Sequence, residues 1–393
     1  MQYRTDPRSG NQLSALGFGM MRLPRGLTGL DVEKTTALVK LAVELGINYF
    51  DTAYLYSGSE DATGKALATL GLREQVYIAT KLPHARCNSY DDFDRIFNEQ
   101  LSRLQTDYID YYLIHNMPDS VPWLRLVDLG IEGWISEKKA SGQIRQIGFS
   151  FHGSQTGFLD LLEAYDWDFC QIQYNYLDTS NQAGQTGLRA AYARDIMIAI
   201  MEPLRGGVLA TGLPEQTQAI FTAADPQGSM ASWAFRWIWD QPEPTVVLSG
   251  MGTAEQLTEN ASTATSTPAG SLSELEHTAL NQAIESILDR YQIPCTGCNY
   301  CMPCPQGVNI PGCFASYNTR KAQGMLAGYM QYFTATNPNR KEQASGPSAC
   351  SSCRSCESKC PQQIKISEAL LEVKKNMEPF YFGAMKAAVK IFM

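Results

Sequence analysis

The chain has 393 residues, 44% of them hydrophobic and 18% charged, with a formal net charge of −8. This is ordinary globular composition, with material for one large core and a smaller one. The acidic balance and the lack of a basic stripe exclude a nucleic-acid footprint, and no stretch reaches the ~18 apolar residues of a membrane span. The opening MQYRTDPRSG lacks the apolar segment of a secretory signal, so a cytoplasmic protein is expected.

In chain order, a first strand is expected within SALGFGMM (14–21), followed by a helix over 31–46. On that helix Leu38, Leu41, Ala42 and Leu45 form one apolar face. Further strands are expected at 47–53, 75–81, 109–115, 144–150, 168–175, 196–203 and 245–250. Helical stretches such as SEDATGKALATLG, DDFDRIFNEQLSRL, GSQTGFLDLLEAY and GSMASWAFRWIWD fall between them. Trp233, Trp237 and Trp239 on the last of these read as core packing. Strands that alternate with helices pair in parallel, and eight such units imply a closed (β/α)8 TIM barrel. An open doubly wound sheet is the alternative, but no Gly-x-Gly-x-x-Gly turn follows an early strand.

The segment ASTATSTPAGS (261–271) reads as a connector, which divides the chain into a barrel at 1–270 and a second domain at 271–393. A helix, SLSELEHTALNQAIESILDRY, opens the second domain, and YNTRKAQGMLAGYMQYF reads as helical too. The apolar tail MEPFYFGAMKAAVKIFM, with Lys386 and Lys390 interspersed, is expected to dock on protein rather than lie on a membrane surface.

Eleven cysteines are present, and eight lie in this second domain in two runs. Cys295, Cys298, Cys301 and Cys304 are followed by Pro305; Cys350, Cys353, Cys356 and Cys360 are followed by Pro361. Zinc sites need only one or two Cys-x-x-Cys pairs, and disulfide frameworks suit small secreted chains. Two runs of four, each closed by proline, instead resemble bacterial ferredoxins and imply two [4Fe–4S] clusters in a mainly helical, ferredoxin-like domain. In that arrangement the fourth cysteine of each run crosses over. The implied ligand sets are Cys295, Cys298, Cys301 and Cys360 for one cube, and Cys350, Cys353, Cys356 and Cys304 for the other. Cys170 reads as core packing and Cys313 as a residue outside the ligand sets.

Barrel enzymes gather their chemistry where the strands end. Three consecutive strands here end on Asp51, Lys81 and His115, with Tyr56 in the loop after the first. Charged groups at the ends of apolar strands need partners, so Asp51 and Lys81 are expected to face each other. His84 and His152 also lie at strand ends and read as ordinary satisfied histidines.

These residues and the segments INYFDTAYLY, IATK, DYIDYYLIH, GQIRQIGFS, QIQYN, EPLRGG and GTAEQLTEN resemble the aldo-keto reductase family over residues 3–260. The resemblance implies hydride transfer between NADP or NAD and a small carbonyl or alcohol. Tyr56 is the implied general acid, Lys81 the cation lowering its pKa, Asp51 the partner of Lys81, and His115 the group that places the substrate oxygen. Ser150 and Gln171 would hold the nicotinamide carboxamide. Gly19 and Met20 join the implied cofactor set, with Met201 beside the ring and Leu204, Gly206 and Gly207 by the pyrophosphate. Glu259 and Asn260 would contact the adenine end. Three departures stand out: Phe151 where the family has Asn, Met201 where an aromatic is common, and uncharged Gly250 and Gln256 where it carries basic residues for a 2′-phosphate.

Hydride moves two electrons and a cubane moves one, so the chemistry of the two domains leaves room for a flavin. An external ferredoxin- or flavodoxin-like carrier is the expected electron partner of an active reductase. An electron-transfer or redox-sensing protein with a degenerate barrel, and purely structural clusters, are the alternatives.

Overall fold

In the computed structural model, residues 1–26, 29–289, 292–336, 345–379 and 382 are described. An antiparallel hairpin opens the chain: β1 (Tyr3–Thr5) pairs with β2 (Gln12–Ser14). Eight strands follow: β3 (Leu16–Gly19), β4 (Tyr49–Asp51), β5 (Tyr77–Leu82), β6 (Ile109–Met117), β7 (Ile144–Phe151), β8 (Phe169–Gln173), β9 (Met197–Met201) and β10 (Val246–Ser249). They close into a parallel barrel in sequence order, with β10 returning to β3. Every expected strand is therefore present; the hairpin was not foreseen, since three-residue strands carry too few positions for a period to register.

The strand side chains divide by alternation. Tyr49, Ala79, Tyr111, Leu113, Phe169, Met197 and Val246 fill the barrel interior. Phe18, Phe50, Ile78, Tyr112, Ile147, Cys170, Ile198 and Val247 face outward into the core beneath the helices. Cys170 is a packing residue, as the sequence suggested. Trp233 and Trp239 are buried, and the Trp239 indole donates to the Ala15 carbonyl at 3.0 Å.

Local chemistry sets the helix ends. Asp31 caps Val32–Glu44 by accepting from the Lys34 N–H at 3.0 Å. Gly71, at φ 63°, ends Ser59–Leu70. The expected connector is partly helical: helix Ala254–Ser266 runs into it as far as Ser266. Its buried face is Leu257, Asn260, Ala261 and Ala264, small residues whose period is faint in the sequence. Thr258, Thr263 and Thr265 bond back to carbonyls four residues earlier, which satisfies their hydroxyls inside a helix.

The chain forms two compact units: Met1–Leu204 with Ala231–Ser273, and Arg205–Met230 with the chain from Glu274 onward. The second unit is helical, built from Glu215–Ala224, Glu274–Leu288, Ile310–Gln323, Met325–Ala335 and Ile366–Met377. The single helix expected around 317–333 is broken at Gly324, whose φ of 95° no helix accommodates. Phe314, Tyr317, Tyr332, Val373 and Met377 form its core. Lys386 and Lys390 of the apolar tail lie outside the described residues.

Candidate active site and cysteine centres

Asp51 is the last residue of β4, and Lys81 lies on the adjacent β5. Both are buried, at 4% and 1% exposure. The Lys81 ammonium donates to Asp51 Oδ1 at 2.6 Å and to the Thr52 carbonyl at 2.7 Å. Asp51 Oδ2 accepts from Gln171 Nε2 at 2.8 Å, reaching across from β8. The carboxylate is thus satisfied at both oxygens, which is what allows a charge pair to persist in this interior.

Tyr56 sits in the turn after β4, with Lys81 Nζ 5.0 Å from its ring centroid. The His115 ring meets it edge-on, with centroids 6.0 Å apart. His115 occupies an irregularity in β6, where the register against β7 shifts between Ile114 and Met117. Asn116 there has φ 59°, and its N–H donates to Ser150 Oγ at 2.8 Å. Such a bulge re-aims a side chain at a strand end, and here it re-aims His115. The four expected residues therefore converge at one rim.

Their electrostatics differ from expectation in one respect. Burial pushes the Tyr56 phenol up, and the Asp51 and Glu202 carboxylates push it further. With Lys81 paired to Asp51, the net effect on the phenol is upward. Tyr56 is consequently a neutral proton donor. Burial likewise holds His115 well below the usual imidazole range, reinforced by Lys81, His152 and His84. Its Nδ1 is buried and has no hydrogen-bond partner among the described residues.

Ser150 and Gln171 are both 2% exposed. Ser150 Oγ accepts from Asn116, so its own O–H is left to donate; Gln171 has committed its NH2 to Asp51, so its carbonyl is left to accept. One donor and one acceptor side by side on β7 and β8 form the complement of a primary amide, and so fit a nicotinamide carboxamide. Gly19 ends β3 beside Ser249 and Gly250 at the end of β10, and Asn260 Nδ2 donates to Ser249 Oγ at 3.2 Å. Met20 is buried and its carbonyl accepts from Ser59 Oγ at 2.8 Å. Met201 ends β9, and Leu204 packs on the barrel core. Gly206 and Gly207, at φ 70° and 96°, belong to the second unit. Glu259 is exposed, as is Gln256, whose Oε1 accepts from the Gly252 N–H at 2.8 Å.

Two site residues escaped the sequence reading. Arg22 lies with its stem over Gly250, where a Cβ would stand 3.4 Å from that of the arginine. A cation is therefore present beside the position where the family pattern left none. Glu202, at φ 55° just after β9, carries a carboxylate that raises the Tyr56 phenol. The unusual backbone conformation is the signal, and it has no trace in a sequence.

The cysteines of the second unit are free thiols. Among the described residues no three His, Cys, Asp or Glu stand close enough to share a single ion. Instead Cys295, Cys298, Cys301 and Cys360 line one pocket, walled by Ile310, Phe314, Ile364 and Ile366. A space ringed by four thiols and apolar side chains suits a cubane better than a lone ion. Burial raises Cys295 to about 11 and Cys301 to about 12, the latter with Cys295, Cys298 and Cys360 adding to it. Thiols so disfavoured as bare thiolates need a cation to hold them ionised. Cys356 is raised by burial, then by Glu357, Cys304 and Cys350, which brings Cys304 to the second run. Cys353 is exposed, and Cys313 is fully buried in the helical core, raised by burial to about 12.

The two loops share a backbone. Gly297 and Ser352 donate N–H to the sulfur two residues earlier, each at 3.4 Å. Left-handed residues recur in step: Gly297, Asn299 and Gly307 in the first loop, Ser352, Arg354 and Gln363 in the second. A helix begins six residues after the last cysteine in both, at Ile310 and Ile366.

A parallel barrel with this rim defines an oxidoreductase of the carbonyl-reducing class. Residues 15–278 match the aldo/keto reductase family and residues 294–364 match a 4Fe-4S dicluster domain. The chain belongs to the aldo/keto reductase family and is an enzyme of that NAD(P)-linked class, with an iron–sulfur domain appended. Among its relatives, an aldo-keto reductase of Mycolicibacterium paratuberculosis is 31% identical over 238 residues, covering 60% of this chain and 77% of that one. The holo form of an aldo-keto reductase from Bacillus halodurans superposes with a TM-score of 0.60 at 26% identity, over 72% of this chain and 96% of that chain. A thermostable aldo-keto reductase solved with the inhibitor epalrestat gives 0.59 at 26% identity, over 72% of this chain and all (100%) of the other. No helix among the described residues is long and apolar enough to cross a membrane.

Proposed function

We propose that the protein reduces a small carbonyl compound, or oxidises the matching alcohol, in a barrel of residues 1–270. Residues 271–393 then carry two [4Fe–4S] clusters that exchange electrons with a ferredoxin- or flavodoxin-like carrier. The observation that carries this reading is the convergence of Tyr56, Lys81, Asp51 and His115 at one rim. When bound, NAD(P)H supplies a hydride and the clusters supply one-electron steps. Ser150 and Gln171 orient the carboxamide, and Arg22 serves a 2′-phosphate beside Gly250. His115, neutral at pH 7, donates a hydrogen bond to the substrate oxygen. Tyr56 gives its phenolic proton to that oxygen as the carbonyl π bond breaks, and the Lys81 ammonium, 5.0 Å from the ring, faces the phenolate that remains. Cys295, Cys298, Cys301 and Cys360 hold one cube; Cys350, Cys353, Cys356 and Cys304 hold the other.

The test is an anaerobic preparation analysed for iron, sulfide and bound cofactor, then assayed with NADH and NADPH over a panel of aldehydes and ketones. Turnover with a nicotinamide and about eight iron per chain are expected. Turnover with neither nicotinamide would sink the reductase half; a bound flavin would redirect it.

A further inference from the structure

Three of the chain's four histidines hang from neighbouring strand ends: His84 after β5, His115 on β6 and His152 after β7. The family reading uses only His115. His152 stands out because a chain of buried amides dictates its proton. Gln182, Gln173 and Asp178 are 3%, 2% and 4% exposed. Asp178 Oδ2 accepts from Gln173 Nε2 at 3.0 Å, and from Asn175 Nδ2 at 2.9 Å. A carboxylate only accepts, so the Gln173 amide must present its NH2 to Asp178 and its carbonyl to the other side. Gln173 Oε1 accordingly accepts from Gln182 Nε2 at 2.8 Å. Gln182 then presents Oε1 to His152 Nδ1, 3.1 Å away. An amide oxygen cannot donate, so the proton of that contact sits on His152 Nδ1. The carboxylate of Asp178 thus fixes, through two amides, a histidine tautomer whose Nε2 is a lone-pair acceptor.

Burial lowers the His152 pKa to about 4, so the ring is neutral at physiological pH. His152 directly follows β7, whose Phe151 pairs with Met117 of β6, so it stands at the same end of the barrel as His115. Its backbone N–H donates to the Met117 carbonyl at 2.9 Å, two residues beyond His115 on the adjacent strand. Neighbouring strands lie about 4.8 Å apart, so the two imidazoles are carried by adjacent backbone positions. An acceptor nitrogen repels a carboxylate, and the nearby Lys81 charge disfavours an ammonium. A hydroxyl is the donor that remains.

We propose that His152, through Nε2, accepts a hydrogen bond from a hydroxyl next to the substrate carbonyl, so that the enzyme prefers α-hydroxy carbonyl compounds to their deoxy analogues. This rests on the reductase reading and narrows its substrate class. Gln182 and Gln173 act as positioning residues that hold the tautomer.

The test compares hydroxyacetone with its isostere butanone, using the full-length, cluster-loaded enzyme alongside the aldehyde panel. Wild type should favour hydroxyacetone in kcat/KM, and His152→Phe should shrink that preference about tenfold, the worth of one hydrogen bond. His152→Gln, whose amide oxygen takes the place of Nε2, should restore part of it. Nitrogen-15 NMR of the four histidines should show His152 as the Nδ1–H tautomer, with Gln182→Leu releasing it into a mixture. An unchanged preference in His152→Phe, or an Nε2–H tautomer in wild type, overturns the proposal while leaving the reductase intact. Turnover of panel aldehydes with no preference between the two ketones does the same. Turnover of nothing in the panel overturns the reductase reading and this proposal with it.

Discussion

Replacing Lys81 by methionine isolates the electrostatic arrangement at the centre of the rim. Lys81 and Asp51 are 1% and 6% exposed at their side chains, and their contact is 2.6 Å. Methionine keeps the aliphatic volume but strands a carboxylate with Gln171 as its remaining side-chain donor. Breaking a buried pair from one side costs about 3–5 kcal/mol, because the surviving charge has lost both water and partner. For a chain of this size that corresponds to an apparent Tm lower by roughly 6–20 °C, at about 2–4 °C per kcal/mol. The double variant Lys81→Met/Asp51→Leu removes the stranded charge as well. It should recover most of the loss, short by about 1 kcal/mol for the Gln171 amide that then lacks its acceptor. Thermal melts by circular dichroism at one fixed scan rate make the comparison, since unfolding of a protein this large need not reverse. A Lys81→Met shift under about 2 °C, or a double variant as damaged as the sum of the singles, would refute the claim that this is a buried, mutually dependent pair.

Tyr56→Phe should lower kcat about 10²–10⁴-fold while leaving the melt and KM near wild type, which steady-state kinetics and calorimetry would separate. Carbonyl reduction needs the phenol protonated, and burial raises its pKa above the ordinary ~10, so the rate should stay flat through pH 9 and fall only beyond pH 10. A pH–rate profile declining near pH 7–8 would contradict this. Cys360→Ala should remove one cube, taking iron from about eight to about four per chain, whereas Cys313→Ser should leave iron unchanged. Gly148→Ala would set a Cβ 2.3 Å from the Phe169 carbonyl oxygen on the paired strand, so a loss of about 1–3 kcal/mol is expected in a denaturant titration.

Much of this was legible in the sequence because two signals are strong. Strands buried on both faces read as apolar runs, and each functional residue at the rim ends such a run: Asp51, Lys81 and His115. Cysteine spacing is equally direct. The failures share a cause, which is information carried by backbone and context rather than residue type. Helix Ala254–Ser266 hides behind Thr and Ser, whose hydroxyls are satisfied only once the helix exists. The Tyr56 phenol is raised by burial and by the Asp51 and Glu202 carboxylates, surroundings that residue type alone does not display. Arg22 reaches Gly250 from the short helical turn after β3, a proximity created by the pairing of β3 with β10. His152 looked ordinary until the amide chain behind it could be traced across residues 173–182.

The duplicated cysteine loops are unequal partners. Of the three left-handed positions, the first loop fills two with glycine and one with asparagine, residues that tolerate that conformation. The second fills them with serine, arginine and glutamine, each uncomfortable by on the order of 1 kcal/mol. Stripped of metal, the loop of Cys350–Cys360 has the greater incentive to relax into something else. Under the two-cluster proposal the pair would be less like twin sockets than like a ready-made cradle and one that its own cargo must hold in shape.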